Sequence, residues 1–488
     1  MGFAYDQVLY PGFPLVQTHP DRLATIAGLL GMRAARPDRC RVLELGCGDG
    51  GNLIPMALGL PESAFTGIDL AEQAAARGRA MSQALGLKNI SLRQMDLLEA
   101  RADLGEFDYI LVHGVYSWVP PQVRERVLRI CRANLAPDGV AYVSYNAYPG
   151  FHRREMFRGM MLHHVRNVHH PAGRYQEALQ LISGLAKSKL DGELAPILYE
   201  EEGQYLAETA PWAVYHDDLA DTNRAFYFHE FIADARRHQL QFLGEADFFE
   251  MQSGTYPAPV ADALERFAGT DVVVKEQYLD FIKGRRFRQT LLCRDEVVLD
   301  RSLSPDRITK LYVESAAHPV STNPDLREGV AEQFHGPRGA ALETDCSAAK
   351  IALCRLSEIW PHALHFPELL SGGDAARLAE VLLQGYRVGL LELHTLPPRF
   401  ADVAGERPVA SPLARWQAQQ SPVVTTLRHT LVELDDAADR CLLLLLDGTR
   451  NRGALMERVR DVSGDDPVTA ESLEVRLGRL AKEALLLR

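Results

Sequence analysis

The stretch VLELGCGDGG, residues 42–51, constrains the fold of this chain more than any other segment. It places Gly46, Gly48 and Gly50 directly after a short apolar run, and glycine can adopt positive φ and lets the backbone approach a ligand closely. Short apolar segments alternate with helical patterns through residues 1–150; the strand-like segments read RVLELG, AFTGIDL, ISLRQMDL, FDYILVHG and GVAYVSYN. This alternation predicts an α/β fold with a Rossmann-like, doubly wound parallel sheet, in which the glycines form a ligand-binding turn.

Carboxylates at successive strand ends limit what that turn can bind. Glu44 precedes the glycines, so the pattern is ExGxGxG and not the GxGxxG of a dinucleotide site, and Glu44 and Asp49 would repel a pyrophosphate. Asp69 ends the second strand, where an acidic side chain accepts hydrogen bonds from ribose hydroxyls. Asp96 ends the third strand and can accept one from an adenine amino group. Together they indicate a positively charged adenosine without phosphate.

S-adenosyl-L-methionine has a cationic sulfonium, a cationic amino group and free ribose hydroxyls, so it is the predicted cofactor. Residues 1–150 therefore resemble the class I methyltransferases. The predicted cofactor-binding residues lie on the glycine turn and at the ends of the first four strands: Glu44, Gly46, Cys47, Gly48, Gly50, Asn52, Asp69, Leu70, Asp96, Leu97, His113 and Gly114. No metal site is predicted.

The acceptor side of the pocket is predicted at the ends of the fourth and fifth strands, HGVYSWVP and VSYNAYPGFH. Aromatic faces attract an ammonium and tolerate its methylated products, so an aromatic rim favours an amine acceptor. The sulfonium lowers the pKa of a nearby amine, and a histidine or tyrosine can accept or relay the proton. The predicted catalytic residues are His113, Tyr116, Trp118, Tyr145, Asn146 and Tyr148, with His19 as a further proton acceptor.

The charge of the chain narrows the class of partner. The net charge of −12 argues against binding to nucleic acid or to an anionic membrane. Residues 191–280 carry 19 acidic and five basic side chains, which indicates either solvated helix faces or a surface that attracts a basic substrate. The basic segment HRREMFRGMMLHHVRNVHH, which begins at residue 152, could pair with those acidic residues within the chain or across two protomers.

Cysteine usage and hydropathy suggest a compartment. The seven cysteines are scattered without a CxxC pair, which is typical of reduced thiols in a cytoplasmic protein. The segment MGFAYDQVLYPGF has neither the basic nor the apolar region of a signal peptide, and the longest apolar run, Leu442 to Leu446, is too short for a membrane span. We therefore expect a cytoplasmic location without membrane insertion.

The rest of the chain divides into further units. A donor-binding domain over 1–150 is followed by a mostly helical, mixed middle domain over 151–315 and a winged-helix-like domain over 340–400. A linker over 401–422 leads to a second winged-helix-like domain over 423–488. Both C-terminal units contain two helical patterns followed by an apolar end, which indicates an internal duplication.

Longer strings carry a family resemblance. THPDRLATIAGLLGM, VLELGCGDGGNLIPMALGLP, HGVYSWVPPQVRERVL and GVAYVSYNAYPGFHRREM resemble bacterial methyltransferases that carry a methyltransferase regulatory domain. YFHEFIADARRHQLQFLGEADF and EQYLDFIKGRRFRQTLLCRDE resemble that regulatory domain, and DRCLLLLLDGTRNRGALMERV resembles the C-terminal domain of the same proteins. The family includes the rickettsial protein lysine methyltransferases, which modify surface proteins.

This resemblance implies binding of S-adenosylmethionine, lysine in a protein as the methyl acceptor, and a homodimer as one form of assembly. The donor site maps onto Glu44, Gly46, Gly48, Asp69 and Asp96, with His113 and Tyr116 at the next strand end. The turn departs from the family in one respect, since Ala or Ser is expected in place of Gly48 or Asp49.

Two other functions fit the sequence. One is methylation of a small molecule in natural-product or envelope metabolism. The other is a regulatory binding module in which methyl transfer is vestigial, although the intact Glu44, Asp69 and Asp96 argue against it. A nucleic-acid acceptor is disfavoured because SYNAYP is not the (N/D)PP(Y/F) motif and follows the fifth strand, not the fourth.

Overall fold

The computed structural model describes residues 8–100, 104–188, 195–252, 256–372, 374–460 and 469–488, and the statements below concern these ranges. Residues 1–7 of the segment inspected for a signal peptide lie outside them.

A seven-stranded sheet organises the first 294 residues. Its strands in chain order are β1 (Arg41–Leu45), β2 (Ala64–Asp69), β3 (Ile90–Gln94), β4 (Phe107–Val112), β5 (Leu135–Asn146), β6 (Leu240–Glu245) and β7 (Phe287–Arg294). The spatial order is β3-β2-β1-β4-β5-β7-β6. The first five strands pair in parallel, whereas β7 is antiparallel to both β5 and β6. The predicted α/β fold and its five parallel strands are confirmed.

Helices cover both faces of the sheet. They are α1 (Pro20–Leu29), α2 (Leu53–Gly59), α3 (Glu72–Ala84) and α4 (Pro121–Asn134). Except for the edge strand β3, the parallel strands are buried on both sides, with alternate residues in two separate hydrophobic clusters: Val42 belongs to one and Leu43 to the other. This two-sided burial explains why the strands read as continuous apolar runs in the sequence.

Two strands of the sheet come from beyond residue 150, where a separate middle domain is predicted. Between β5 and β6 the chain forms a helical excursion made of α5 (Phe151–His164), α6 (Pro171–Lys187), α7 (Ala195–Glu208), a short helix Pro211–Ala213, a π-helical turn Val214–Asp218 and α8 (Phe228–Arg237). Between β6 and β7 lie α9 (Ala258–Ala268) and α10 (Val272–Lys283). The boundary at residue 150 stays a prediction about domain organisation, but the sheet itself continues across it.

The basic helix α5 pairs with the acidic segment of its own chain. Arg153 forms an ion pair with Glu201 at 2.5 Å. Arg154 binds both Glu202 of α7 and Asp218 of the π-helical turn, and these two carboxylates are almost fully buried. Part of the acidity of residues 191–280 is therefore structural, as the sequence suggested.

A second unit packs against the sheet domain. Its elements are β8 (Tyr312–Glu314), β9 (His318–Pro319), β10 (Glu332–His335), β11 (Ala341–Thr344), α11 (Ser347–Ile359), β12 (Leu364–His365), α12 (Ala375–Arg387) and β13 (Glu392–His394). They form two three-stranded sheets, β12-β8-β13 and β11-β10-β9. The helices α11 and α12 contribute Leu353 and Leu382 to the same hydrophobic cluster as Leu23 of α1, so this unit shares its core with the methyltransferase fold.

The C-terminal unit includes the stretch that was predicted to be a linker, and that prediction is wrong. Its elements are α13 (Pro412–Ala418), β14 (Val423–Thr425), β15 (Leu431–Glu433), α14 (Ala437–Leu445), α15 (Arg452–Arg460) and α16 (Ala470–Lys482). Ser411 caps α13, and Ala410, Ala414 and Ala418 are buried in the same cluster as Leu477. The proline- and alanine-rich composition of this stretch is typical of a linker. Its small apolar side chains are buried here only because they pack against residues of the C-terminal helices, which the composition does not show.

Two global features complete the fold. Within the described ranges, no helix combines the length and the apolar character needed to cross a bilayer. The seven cysteines are all free thiols, and burial raises the pKa of Cys47 in the glycine turn well above its usual range, which makes its thiol a poor nucleophile.

Candidate active site

The glycine turn joins β1 to α2 through positive backbone angles. Gly46, Gly48 and Gly50 have φ of 77°, 54° and 76°, a region that favours glycine. A Cβ at Gly46 would lie 2.4 Å from Val115, and one at Gly50 would lie 2.8 Å from Leu92, whereas a Cβ at Gly48 would meet no atom within 4 Å. The outer two glycines therefore allow close packing, and Gly48 exposes its backbone to the ligand space.

Glu44 carries an unsatisfied carboxylate oxygen beside that space. Its Oε1 accepts a hydrogen bond of 2.8 Å from the side-chain amide of Asn52, while its buried Oε2 has no hydrogen-bond partner among the described residues. Burial raises the pKa of Glu44 to about 8, with a further contribution from the charge of Asp69. A cationic ligand group would satisfy this oxygen and keep the carboxylate ionised.

Asp69 is oriented by two backbone amides. Its Oδ2 accepts from Gly48 at 2.8 Å and its Oδ1 accepts from Ala71 at 2.8 Å. Each oxygen of a carboxylate has two lone pairs, so both oxygens retain acceptor capacity toward a ligand. The hydrogen bond from the Gly48 amide to Asp69 links the glycine turn to the end of β2.

A cavity of about 270 Å³ opens at the carboxyl ends of these strands. It is lined by the N-terminal segment, the glycine turn, the start of α3, the end of β4 and the π-helical turn: Tyr10, Pro11, Gly12, Phe13, Leu15, Glu44, Gly46, Cys47, Gly48, Asn52, Asp69, Ala71, Ala74, Arg77, His113, Gly114, Trp118, Asp217 and Phe287. Three carboxylates and one basic side chain, Arg77, are among them. This balance suits a cationic adenosine derivative and disfavours a pyrophosphate.

The structure brings eight predicted cofactor residues to the cavity wall: Glu44, Gly46, Cys47, Gly48, Asn52, Asp69, His113 and Gly114. Gly50, Leu70, Asp96 and Leu97 lie outside the lining. Gly50 packs against β3, and Asp96 accepts a hydrogen bond of 2.9 Å from the backbone of Leu98. The proposed contact of Asp96 with adenine stays a prediction.

Of the predicted catalytic residues, His113 and Trp118 line the cavity and the others do not. Tyr116 and Tyr145 are 1% and 0% exposed and pack in the core, where the Tyr145 hydroxyl bonds Thr290 at 3.1 Å, so their placement on the rim is wrong. Side chains along β5 alternate between pocket and core, and the sequence did not show which face Tyr145 takes. Tyr116 lies in the turn after β4, where its ring packs on Phe226 and Phe231.

Asn146, Tyr148 and His19 also lie outside the cavity lining. The amide of Asn146 donates to Asn223 at 2.8 Å, and Tyr148 stacks on His152 with its hydroxyl on Glu155. His19 caps α1 by accepting from the backbone of Asp21 at 3.2 Å, and burial lowers its pKa to about 4.

The side of the cavity beyond the glycine turn is aromatic and contains one carboxylate. The lining includes Trp118, whose indole N–H is buried without a partner among the described residues, together with Phe287 and Asp217. His113 contacts the hydroxyl of Tyr142 at 3.0 Å, and burial lowers its pKa to about 4, so this imidazole is neutral near pH 7. Sequence reasoning found His113 and Trp118 but missed Phe287 and Asp217, which come from distant segments without a motif.

A histidine of the C-terminal unit also supports the donor site. His429 lies in the turn between β14 and β15 and contacts Asn52 Oδ1 at 2.8 Å through Nε2. The same oxygen accepts from the backbone of Leu15 at 3.0 Å, which fixes the orientation of the amide, so the histidine must donate. Burial holds the pKa of His429 well below 6.5 and keeps it neutral. The chain of contacts runs from His429 through Asn52 to Glu44.

We expect His429→Ala to weaken binding of the methyl donor about 10-fold, because one hydrogen bond that orients a buried amide is worth about 1.5 kcal/mol. Isothermal titration calorimetry with S-adenosylhomocysteine measures this directly. The control is Glu433→Ala, an exposed position on the same hairpin. Equal affinity in the two variants would show that the hairpin does not position Asn52.

Comparisons with known proteins match three segments of the chain. Residues 42–139 match a methyltransferase domain, residues 211–294 a predicted methyltransferase regulatory domain, and residues 406–478 the PKMT C-terminal winged helix domain. The uncharacterized protein RP789 of Rickettsia prowazekii is 32% identical over 480 residues, which cover 93% of this chain and 85% of that protein. The uncharacterized protein RP028 of the same organism is 32% identical over 242 residues, or 49% of this chain and 96% of that protein.

Solved structures agree with these matches. The structure of PKMT2 from Rickettsia typhi superposes with a TM-score of 0.85 at 26% identity, covering 98% of this chain and 100% of that one. PKMT2 in complex with AdoHcy gives the same TM-score and identity.

The fold and its site define a class I S-adenosylmethionine-dependent methyltransferase. Within that class, the chain belongs to the bacterial family whose members combine the methyltransferase domain with a methyltransferase regulatory domain and a PKMT-type winged helix domain. The predicted family, fold class and cofactor are thereby confirmed. The winged-helix assignment is confirmed for the C-terminal unit, and the internal duplication stays a prediction.

Proposed function

We propose that this methyltransferase transfers methyl groups to the ε-amino groups of lysine side chains in a protein substrate. The observation that carries the proposal is the composition of the cavity beyond the glycine turn, where Trp118 and Phe287 lie with the carboxylate of Asp217. Aromatic faces and a carboxylate suit an amine and its methylated products. The similarity to a protein named PKMT2 supports the same acceptor.

Different residues of this chain would bind the donor and surround the acceptor. Glu44, Asp69 and the backbone of Gly48 would hold the donor, which supplies an electrophilic methyl carbon on a sulfonium when bound. Methyl transfer is an in-line displacement, so the main contribution of the protein is alignment of the amine with that carbon. His113 is neutral near pH 7 because of burial and adds no positive charge that would repel the amine.

The test is incubation of the purified protein with methyl-labelled donor and a lysate of the organism that encodes it. Mass spectrometry of the proteins and of the small-molecule fraction then locates the label. We expect N-ε-methyl-lysine in one or a few proteins. Label found only in small molecules would overturn the lysine proposal and favour a metabolite methyltransferase.

A matched reaction with Asp69→Ala controls for contaminating methyltransferases, because this variant should not bind the donor. Label transfer that persists with Asp69→Ala would mean that the activity does not come from this site.

A further inference from the structure

Asp217 brings a carboxylate from the regulatory segment to the wall of the cavity. It lies in the π-helical turn Val214–Asp218, inside the segment that matches the regulatory domain, and its side chain lines the same cavity as Glu44 and Asp69. π-helical turns are rare and frequently occur at functional sites. Here the turn directs successive side chains to different neighbours: His216 contacts the backbone carbonyl of Val8 at 2.9 Å, and Asp218 binds Arg154.

The carboxylate of Asp217 has no ion-pair partner in the part of the chain that the structure describes. Among the described residues it forms no ion pair within 4.0 Å and its side chain accepts no hydrogen bond, although its backbone carbonyl accepts from Asn223 at 2.7 Å. The cation whose charge acts on Asp217, Arg154, is engaged by Asp218 and Glu202. Burial and the charge of Asp218 raise the pKa of Asp217 to about 7. A partly buried carboxylate with a raised pKa is stabilised by any cation that enters the cavity.

The surroundings of Asp217 suit an amine more than a metal ion. Trp118 and Phe287 line the same cavity, and the N-terminal segment adds Tyr10 and Phe13. Tyr10 and Phe13 in turn pack on Trp212, just before the π-helical turn, with ring centroids at 4.8 and 6.2 Å. Aromatic faces attract an ammonium, whereas a divalent cation needs several oxygen ligands.

We propose that Asp217 binds the amino group of the methyl acceptor and accepts the proton that this group loses. The inference rests on the proposed amine methylation and adds the residue that recognises the amine. In the step, the amine nitrogen forms a bond to the methyl carbon and the carbon–sulfur bond breaks, with its electron pair retained by sulfur. Before the attack the bound ammonium passes one proton to Asp217, so the products are the methylated ammonium, S-adenosylhomocysteine and a protonated carboxyl. Release of that proton to solvent restores the site.

The decisive variant is Asp217→Asn, which keeps the shape of the side chain and removes its charge. We expect its affinity for S-adenosylhomocysteine to stay within twofold of wild type, because Glu44 and Asp69 hold the donor. We expect kcat/KM for the acceptor to fall about 100-fold, the size typical of loss of a general base. The matched control is Asp221→Asn, an exposed carboxylate four residues further on, which should leave kcat/KM unchanged.

The pH dependence separates this role from a structural one. Ionised Asp217 is the active form, so kcat/KM of the wild type should rise with pH through about 7, and Asp217→Asn should lack this rise. The other titratable or charged groups that face this region are Asp218, Arg154, His216 and Tyr10 near the turn, and Glu44, Asp69, Arg77 and His113 elsewhere in the cavity lining. Glu44 titrates in a similar range, so the profiles are measured with saturating donor, which holds Glu44 ionised.

A binding measurement keeps the inference testable whatever the acceptor proves to be. n-Butylamine, an analogue of the lysine side chain, is titrated into the protein loaded with S-adenosylhomocysteine. The heat of binding is then compared between the wild type and Asp217→Asn. Loss of amine binding in the variant supports the inference, and equal binding or a kcat/KM within threefold of wild type overturns it. If the proposed function is wrong, the wild-type protein itself will form no N-methyl-lysine. If only the inference about Asp217 is wrong, the wild type will methylate lysine and Asp217→Asn will behave like it.

Discussion

Asp69→Ala is expected to abolish detectable binding of the methyl donor, with a loss of at least about 100-fold. The carboxylate is held at the end of β2 by the amides of Gly48 and Ala71, which point it at the cavity. Two hydrogen bonds from ribose hydroxyls to a charged acceptor would contribute about 3 kcal/mol. Isothermal titration calorimetry with S-adenosylmethionine and with S-adenosylhomocysteine measures the loss.

The same substitution also frees the amide of Gly48, so the control must separate folding from binding. Asp69→Asn keeps an oxygen that can accept from one of the two amides and should lose about 10-fold in affinity. Glu72→Ala removes an exposed carboxylate three residues further on and should bind the donor normally. Unchanged affinity in Asp69→Ala would show that the ribose hydroxyls are bound elsewhere.

The donor half of the site was accessible from the sequence because its residues are local. Glu44, the glycines and Asp69 lie within one strand–turn–helix–strand unit. The residue types of that unit, glycines in the turn and carboxylates at the strand ends, are enough to indicate its conformation and its ligand. The five parallel strands were accessible for the same reason. A strand buried on both faces reads as an apolar run whatever its neighbours are.

The rest depends on contacts between distant parts of the chain. β6 and β7 complete the sheet from beyond residue 239. Asp217 lines the cavity and His429 contacts Asn52, and both come from segments without any motif. Tyr145 failed as a prediction because alternation along β5 sends neighbouring residues to opposite faces, and the strand end alone does not say which face is the pocket. Tyr116 lies in the turn after β4, and its packing against Tyr145, Phe226 and Phe231 places its ring in the core. Only the packed structure decides these points.

A buried cluster of charges joins α10 to β6 and β7 within the regulatory segment. Arg288 of β7 is fully buried and binds Glu245 of β6 at 2.6 Å, and on α10 it binds Glu276 at 3.2 Å and Asp280 at 2.9 Å. Its guanidinium also lies 3.8 Å from the ring centroid of Phe228 in α8. Burial raises the pKa of both Glu276 and Asp280, and the charge of Arg288 opposes that rise. Arg288 therefore pairs with three carboxylates from two elements, and two of these, Glu245 and Asp280, also pair with Arg285.

Arg288→Met is expected to destabilise the protein by about 3–5 kcal/mol, because it leaves those buried carboxylates without their main counterion. The penalty should depend on pH. Without Arg288 the pKa values of Glu276 and Asp280 in the folded state rise further above their unfolded values, so the folded state binds protons more strongly and loses stability as the pH rises. Calorimetric unfolding at pH 5 and pH 8 should show a smaller penalty at pH 5, with Arg286→Ala, an exposed neighbour, changing little at either pH. A penalty of the same size at both values would mean that Arg288 stabilises the fold through packing on Phe228 and not through its charge.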